Sequence, residues 1–348
     1  VKRRLQSLLL STPMFEAFCR WLTRQHVRAL MYHRFSPRAT GDSRFVDAET
    51  LAAQLDFLVA HHTIITPDQH RAQHVDSQPV GASCPVVITV DDGYRDVLDV
   101  AHPLLRQRDL PAMLFMTTSL ADGSFWLWWD KIEYLMQEAP AAVHDLDVLG
   151  RSLSIDLTTP TGRRQAWSDV ADRCRFAPNA DKLSFIGELA RRLGLELPEA
   201  PPPGYQGVSW DELRTMVDEG LLVGAHTVTH PILSRLPLAE AVFEIDQSRA
   251  RLEEQLQRPI PWFCYPQGGP ADYNDQLCKH LDGANFAGSY LAYQISDHAG
   301  DPYRMPRYCV GSDMVEFRWM LCGAEFLIRR LKSFFGLQPD VSPQYWQS

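Results

Sequence analysis

A chain of 348 residues that is 45% hydrophobic and 22% charged can bury a substantial core, enough for one elaborated α/β domain or two small ones. Its net charge of −9 excludes a general nucleic-acid binder, which needs a basic surface. Seven cysteines with no C-x-x-C pair fit free thiols in a reducing compartment, and no run of about 18 apolar residues offers a spanning helix.

Residues 3–25 predict one or two short amphipathic helices broken near Pro13. Lys2-Arg3-Arg4 before Leu8-Leu9-Leu10 has the outline of a signal sequence, but the apolar segment stops at Ser11-Thr12-Pro13 and no small-residue cleavage site follows. A cytoplasmic protein is therefore expected. Residues 28–33 predict the first strand. Asp47, with Thr50 after it, caps a helix in which Leu51, Leu55, Leu58 and Val59 repeat at helical spacing up to His61. A short strand over 63–66 and the apolar run 86–90 come next, then a helix over 95–108 interrupted or kinked at Pro103 and a strand over 112–117. This alternation signals a parallel sheet or barrel.

The rhythm breaks over 121–204, a mainly helical or irregular stretch that ends in Pro201-Pro202-Pro203-Gly204. An insertion of that length predicts a small helical subdomain or lid rather than a bare loop. Alternation resumes at Ser209, which forms a capping box with Glu212 for a helix over 210–219. Strand 221–225, helix 238–256, strand 261–265, helix 273–281 and strands 286–290 and 304–310 follow, and Asp313 opens a last helix to about Phe335.

Chemistry-bearing residues stand just after apolar strand runs, where parallel α/β folds collect their reacting groups. The stretch Thr89-Val90-Asp91-Asp92-Gly93-Tyr94 carries two adjacent carboxylates, which raise each other's pKa and repel unless a cation or a fixed proton separates their roles. After strand 221–225 come His226 and His230. One carboxylate and two imidazoles suit Zn²⁺ or a similar divalent ion with positions left open for water, and the second carboxylate is free to take a proton from that water. The reading is a metal-dependent hydrolase. Asp-Asp-Gly alone is common in turns and Ca²⁺ loops, and the histidine pair lacks the Glu of the zinc-protease helix. The signal lies in the combination, with Pro266-Gln267-Gly268 after a further strand.

The stretches T-V-D-D-G-Y at 89–94, H-T-V-T-H-P at 226–231 and F-C-Y-P-Q-G at 263–268 resemble the motifs of polysaccharide deacetylases of the NodB-homology type, carbohydrate esterase family 4. Y-H-R at 32–34 and M-P-R at 305–307 resemble flanking motifs of bacterial members from polysaccharide gene clusters. The resemblance covers roughly 28–120 and 205–312. It implies a distorted (β/α)7 barrel and hydrolysis of an N-acetyl group from an amino sugar of a surface glycan or its lipid-linked precursor. It makes Asp91 the general base and Asp92, His226 and His230 the ligands of a divalent metal, Zn²⁺ first. The amide of Gln267, after Pro266, would donate to the oxyanion, and Gly268 would allow a close turn.

Two departures bear on the chemistry. Where many members have an Arg that holds the base, this chain has Cys264, and Arg307 is the candidate replacement. No copy of the late His motif that protonates the leaving amine follows Ser312, and His33 is the substitute candidate. Pocket shape leaves open another small amide or a formamido sugar as substrate, or a glycan-binding pseudoenzyme. The expected division is 1–27 a helical segment, 28–120 and 205–312 the two parts of the barrel, 121–204 the insertion and 313–348 the last helix and tail.

Outside the motifs, Phe125, Trp126, Trp128, Trp129 and Tyr134 can stack on sugar rings or bury a helix face on the barrel. Tyr94, Cys84, Cys174, Cys278, Cys309 and Cys322 read as packing residues, and histidines such as His61, His62, His70, His102 and His298 as surface groups. Lys2, Arg3, Arg4, Arg20, Arg24 and Arg28, and later Arg329, Arg330 and Lys332 among Phe326, Leu331, Phe335 and Leu337, make basic amphipathic segments. Such segments can lie on the inner face of an anionic membrane, pack on the barrel, or meet a twin subunit in a homo-oligomer.

Overall fold

The computed structural model describes residues 2–76, 78, 81, 83–293 and 300–334. The expectations placed on His298, Phe335 and Leu337 fall outside them. Short, mostly apolar runs, β-branched in β2 and aromatic or unbranched at Cβ in most others, form seven parallel strands: β1 (Arg28–Tyr32), β2 (Pro85–Val90), β3 (Met113–Met116), β4 (Leu222–Ala225), β5 (Trp262–Cys264), β6 (Gly288–Tyr290) and β7 (Tyr308–Cys309). Their order is β6-β5-β4-β3-β2-β1-β7. Met305 bridges to Tyr290 in β6 while Tyr308 pairs with Leu30 in β1, so 305–309 touches both edges and curls the sheet round. The result is the distorted (β/α)7 barrel. A short extra strand, Thr63–Ile64, pairs with the start of β2.

Strand alternation separates two cores. Outward-facing Leu30, Ile88, Val90 and Leu114 pack with Leu51, Leu55 and Leu58 of helix Ala48–His61 and with Ile245 and Leu252 of helix Leu238–Leu256. Inward-facing Ala29, Val87, Phe115, Cys264 and Tyr290 fill the barrel with Met113, Trp262 and Met305. The caps expected at Asp47 and Ser209 are present, the latter as a full capping box.

Several expectations are corrected. The insertion is not only helical and irregular: Val143–Asp147 and Ser152–Asp156 form an antiparallel hairpin. Each of these strands buries one residue, Leu146 or Ile155, too little alternation to register. The turn holds Leu149 and Gly150 at positive φ without the usual Asn-Gly signature. Helices Trp128–Glu138, Pro160–Cys174 and Asn179–Arg192 share a separate apolar cluster with that hairpin. The helix over 95–108 begins as a wide π turn, Val97–Ala101, because Pro103 in the first turn of His102–Gln107 offers no N–H. Helix Pro67–His74, with its Thr66–Gln69 capping box, was not expected. The last strand shrinks to Tyr308–Cys309 because its residues divide between two edges. The last helix breaks at Gly323, φ 87°, into Met314–Cys322 and Ala324–Phe334; a Cβ there would collide with Thr23 and Arg28. Arg28, His70 and His102 are buried rather than superficial, and Cys309 is exposed rather than in the core.

Candidate active site

Parallel strands end on one side of the barrel, so the residues that follow them share one rim. Hydrogen bonds extend the ladder past the strands: Asp91 N–H donates to the Tyr32 carbonyl (2.9 Å) and His226 N–H to the Met116 carbonyl (3.0 Å). His33, Asp91, Asp92, His226, His230, Tyr265, Gln267 and Ala292 thereby line one pocket of about 550 Å³, whose outer wall includes Arg34, Arg44, Trp129, Asp130 and Trp167.

Asp91 continues the inward face of β2 and meets Arg307, whose side chain is fully buried. The guanidinium donates Nη1 to Oδ1 and Nη2 to Oδ2, both at 2.6 Å, and also reaches Thr89 Oγ1 and the Leu291 carbonyl, each at 2.9 Å. Burial pushes the Asp91 carboxyl up, but Arg307 outweighs it and holds the group below the usual carboxylate range. Cys264 Sγ lies 2.9 Å from Arg307 Nη2 and 3.6 Å from Asp91 Oδ2, so the position that carries an Arg in the resembled family abuts the Arg that is present.

Asp92 departs from the strand with φ 72°, and this left-handed step turns its side chain towards the histidines. Its Oδ1 lies 3.6 Å from His226 Nε2 and 3.3 Å from His230 Nε2. Those are separations expected of neighbouring ligands each about 2.0–2.1 Å from one ion. The ligand atoms of Asp92, His226 and His230 lie within 4.8 Å of one another, and Asp92 Oδ1 is buried with no hydrogen-bond partner. His226 Nδ1 is 2.8 Å from the Cys264 carbonyl, which turns Nε2 towards Asp92. The set fits a divalent metal. A second grouping, Asp91, His226 and Cys264, also comes together. Arg307 against both Asp91 and Cys264 places a fixed cation there, which disfavours another.

The loop that carries the histidines is held from both sides. Glu244 accepts from Val228 N–H (2.8 Å), Thr229 N–H (2.9 Å) and Thr229 Oγ1 (2.6 Å). Thr227 Oγ1 accepts from His230 N–H at 3.0 Å. Gln267 has φ 60°, and no protein acceptor takes its N–H among the described residues. Gly268 N–H turns back to the Pro266 carbonyl (2.7 Å), and a Cβ on Gly268 would lie 2.6 Å from Ala292 N.

His33 Nε2 is 3.9 Å from Asp91 Oδ2; burial lowers its pKa and Asp91 works in the opposite sense. Trp129 is both core and wall: it is buried, stands edge-on to His230 at 4.9 Å between ring centroids, and donates Nε1 to the Tyr94 hydroxyl. That hydroxyl donates to Asp130 Oδ2 at 2.7 Å, and burial pushes Asp130 up to about 8. Sequence reasoning missed Glu244 and Asp130. The position of Asp130 within the aromatic run Trp126–Tyr134 was the available sign for one; helix spacing gave none for the other.

The family model for polysaccharide deacetylase matches residues 181–288, which take in both histidines and the 263–268 stretch and leave Asp91 and Asp92 outside. No curated protein sequence matches the chain. Among solved structures, the Streptococcus pyogenes deacetylase PplD is 15% identical with a TM-score of 0.56, covering 85% of this chain and 97% of its own. IcaB from Ammonifex degensii is 17% identical with a TM-score of 0.54, covering 85% and 96%. A de-N-acetylase from Aggregatibacter actinomycetemcomitans is 13% identical with a TM-score of 0.50, covering 83% and 96%. These neighbours share the fold of this chain, and the match over 181–288 makes that stretch similar to polysaccharide deacetylases.

Proposed function

We propose that the chain hydrolyses the N-acetyl group of an amino sugar in a bacterial surface glycan or its lipid-linked precursor, with Asp91 as general base and Zn²⁺ held by Asp92, His226 and His230. One observation carries the reading. A carboxylate kept ionised by a two-point guanidinium clamp stands beside an Asp–His–His set whose Asp92 Oδ1 is buried without a hydrogen-bond partner, in a pocket of about 550 Å³. That volume lies within the roughly 300–1,000 Å³ of small-ligand sites. A carboxylate and two imidazoles suit Zn²⁺ better than Mg²⁺ or Ca²⁺. When bound, the ion supplies Lewis acidity to the acetyl carbonyl.

The chain's own groups do the rest. Asp91 Oδ1 keeps a lone-pair site beyond its bond to Arg307, so the carboxylate accepts a proton from the attacking water. Gln267 N–H donates to the oxygen that gains charge at the tetrahedral carbon. His33, 3.9 Å from Asp91, passes that proton to the leaving amine as the C–N bond breaks. Trp129 walls the pocket beside His230 and gives the sugar an apolar face. Acetate, the acid product of this reaction, accompanies the S. pyogenes deacetylase PplD in its structure. Seven free thiols fit action in the cytoplasm, where such precursors are assembled.

The test is acetate release by Zn²⁺-loaded protein across lipid-linked, nucleotide-linked and polymeric amino sugars. We expect turnover on at least one class, loss on chelation, recovery on reloading, and a ~10²–10⁴-fold lower kcat in Asp91→Asn with metal content unchanged. Metal-loaded wild-type protein that releases no acetate from any class would sink the reading.

A further inference from the structure

Helices normally turn their apolar stripe inward, and helix Pro13–Leu22 does the reverse. Met14, Phe18, Trp21 and Leu22, at the i, i+4, i+7, i+8 spacing of one face, are 81%, 57%, 58% and 47% exposed. Its one acid, Glu16, points inward and is clamped by Arg20 (2.9 Å) and Arg318 (2.6 Å). The neighbouring helices repeat the pattern. Lys2–Leu10 exposes Leu5 and Leu8 while burying Leu10, and Ala324–Phe334 exposes Ile328, Leu331 and Phe334. All three gather on helix Met314–Cys322 around one small core of Leu10, Cys19, Trp319, Cys322 and Ala324. Their inner faces are thus satisfied while their outer faces remain apolar.

Charge on these helices is one-sided. They carry two acids, Glu16 and Glu325; the first is buried and the second is paired with Arg329 at 2.8 Å. Arg3, Arg4, Arg24 and Arg330, on or next to these helices, are exposed, in a chain whose net charge is −9. Arg24 lies over the Trp21 ring, an aromatic–cation pair suited to a headgroup layer. No helix among the described residues is long and apolar enough to cross a membrane.

We propose that this face seats the protein on an anionic lipid surface, with Met14, Phe18, Trp21 and Leu331 in the acyl boundary and the arginines among headgroups. Segregated positive charge selects a lipid partner over a second copy of the chain, which would bring like charges together. Arg3 pairs at 2.7 Å with Asp313, a residue of the pocket wall, so the docked face runs up to the rim of the active-site pocket.

The experiment is flotation of the full chain with phosphatidylcholine vesicles and with vesicles containing about a third phosphatidylglycerol. We expect flotation with the second only, abolished in Met14→Glu/Phe18→Glu/Trp21→Glu. Arg4→Glu, Arg24→Glu and Arg330→Glu should each weaken it by roughly fivefold or more. The altered side chains are exposed, so unfolding temperatures should match wild type and exclude misfolding as the cause. Wild-type protein that stays in solution with anionic vesicles overturns the proposal. So does binding that survives both sets of substitutions, or a dimer that forms through this face in solution and blocks flotation.

Discussion

Arg307 reaches Asp91 from 216 positions away, from just before the strand Tyr308–Cys309, and Cys264 lies against both. Its planar fork makes two parallel bonds of 2.6 Å that fix both the charge and the orientation of the carboxylate, which the point charge of a lysine does not reproduce. Truncating one member of a buried ion pair leaves the other uncompensated and costs about 3–5 kcal/mol. Arg307→Met should therefore lose about that much stability, read as a lower denaturant midpoint with an unchanged slope. Arg307→Lys should keep more of the stability yet lower kcat by at least ~10-fold with KM little altered, because a point charge holds Asp91 without aiming it. An unaltered kcat in the lysine variant would remove Arg307 from the positioning of the base. The candidate partner was legible from the Met-Pro-Arg stretch; the two-point contact was not, since it depends on how 305–309 closes the barrel.

The histidine loop shows how one element imposes strain on another. Thr227 and His230 sit at φ 67° and 59°, conformations that cost of order 1–3 kcal/mol each for residues other than glycine. Glu244, on helix Leu238–Leu256, answers with three accepted hydrogen bonds, and Thr118 and Ser119 N–H groups bind the Thr227 and Val228 carbonyls at 3.1 Å. The helix was legible over its full length from hydrophobic spacing. The purpose of one acid on its face was not, because spacing reports burial and not hydrogen bonding. Glu244→Ala should leave the fold intact and weaken Zn²⁺ binding by ~10–100-fold in a chelator-competition titration, with Glu244→Gln between. Equal affinities in the three proteins would show that the loop holds its shape without this clamp.

Across the whole molecule, burial of titratable groups sets a pH window. His26, His62 and His70 are held at about 3 rather than 6.5, first by burial. Folded, they stay neutral; unfolded, they take up protons below 6.5, so stability is present above that value and is lost as pH falls towards 3. Asp130, raised by burial to about 8, works the other way: it keeps its proton when folded, and its contribution is lost as pH rises through 8. Melting temperature should therefore peak between about pH 6 and 7 and fall faster on the acid side, and Asp130→Asn should flatten the alkaline limb. A melting temperature constant from pH 8 down to 5.5, about a unit above where ordinary carboxylates titrate, would contradict the burial of these histidines. The sequence by itself determined the alternation of strand and helix, the caps at Asp47 and Ser209, and the placement of Asp91, His226 and Gln267 just after strands. Those features rest on hydrophobic period and on hydrogen bonds three residues apart, which are local. Only the tertiary structure decided that Arg307 grips Asp91, that Asp92 turns to the histidines, that the insertion contains a hairpin, and that helix Pro13–Leu22 faces its apolar stripe outward. Each of these depends on which distant segments meet, and no local pattern of residues carries that distance.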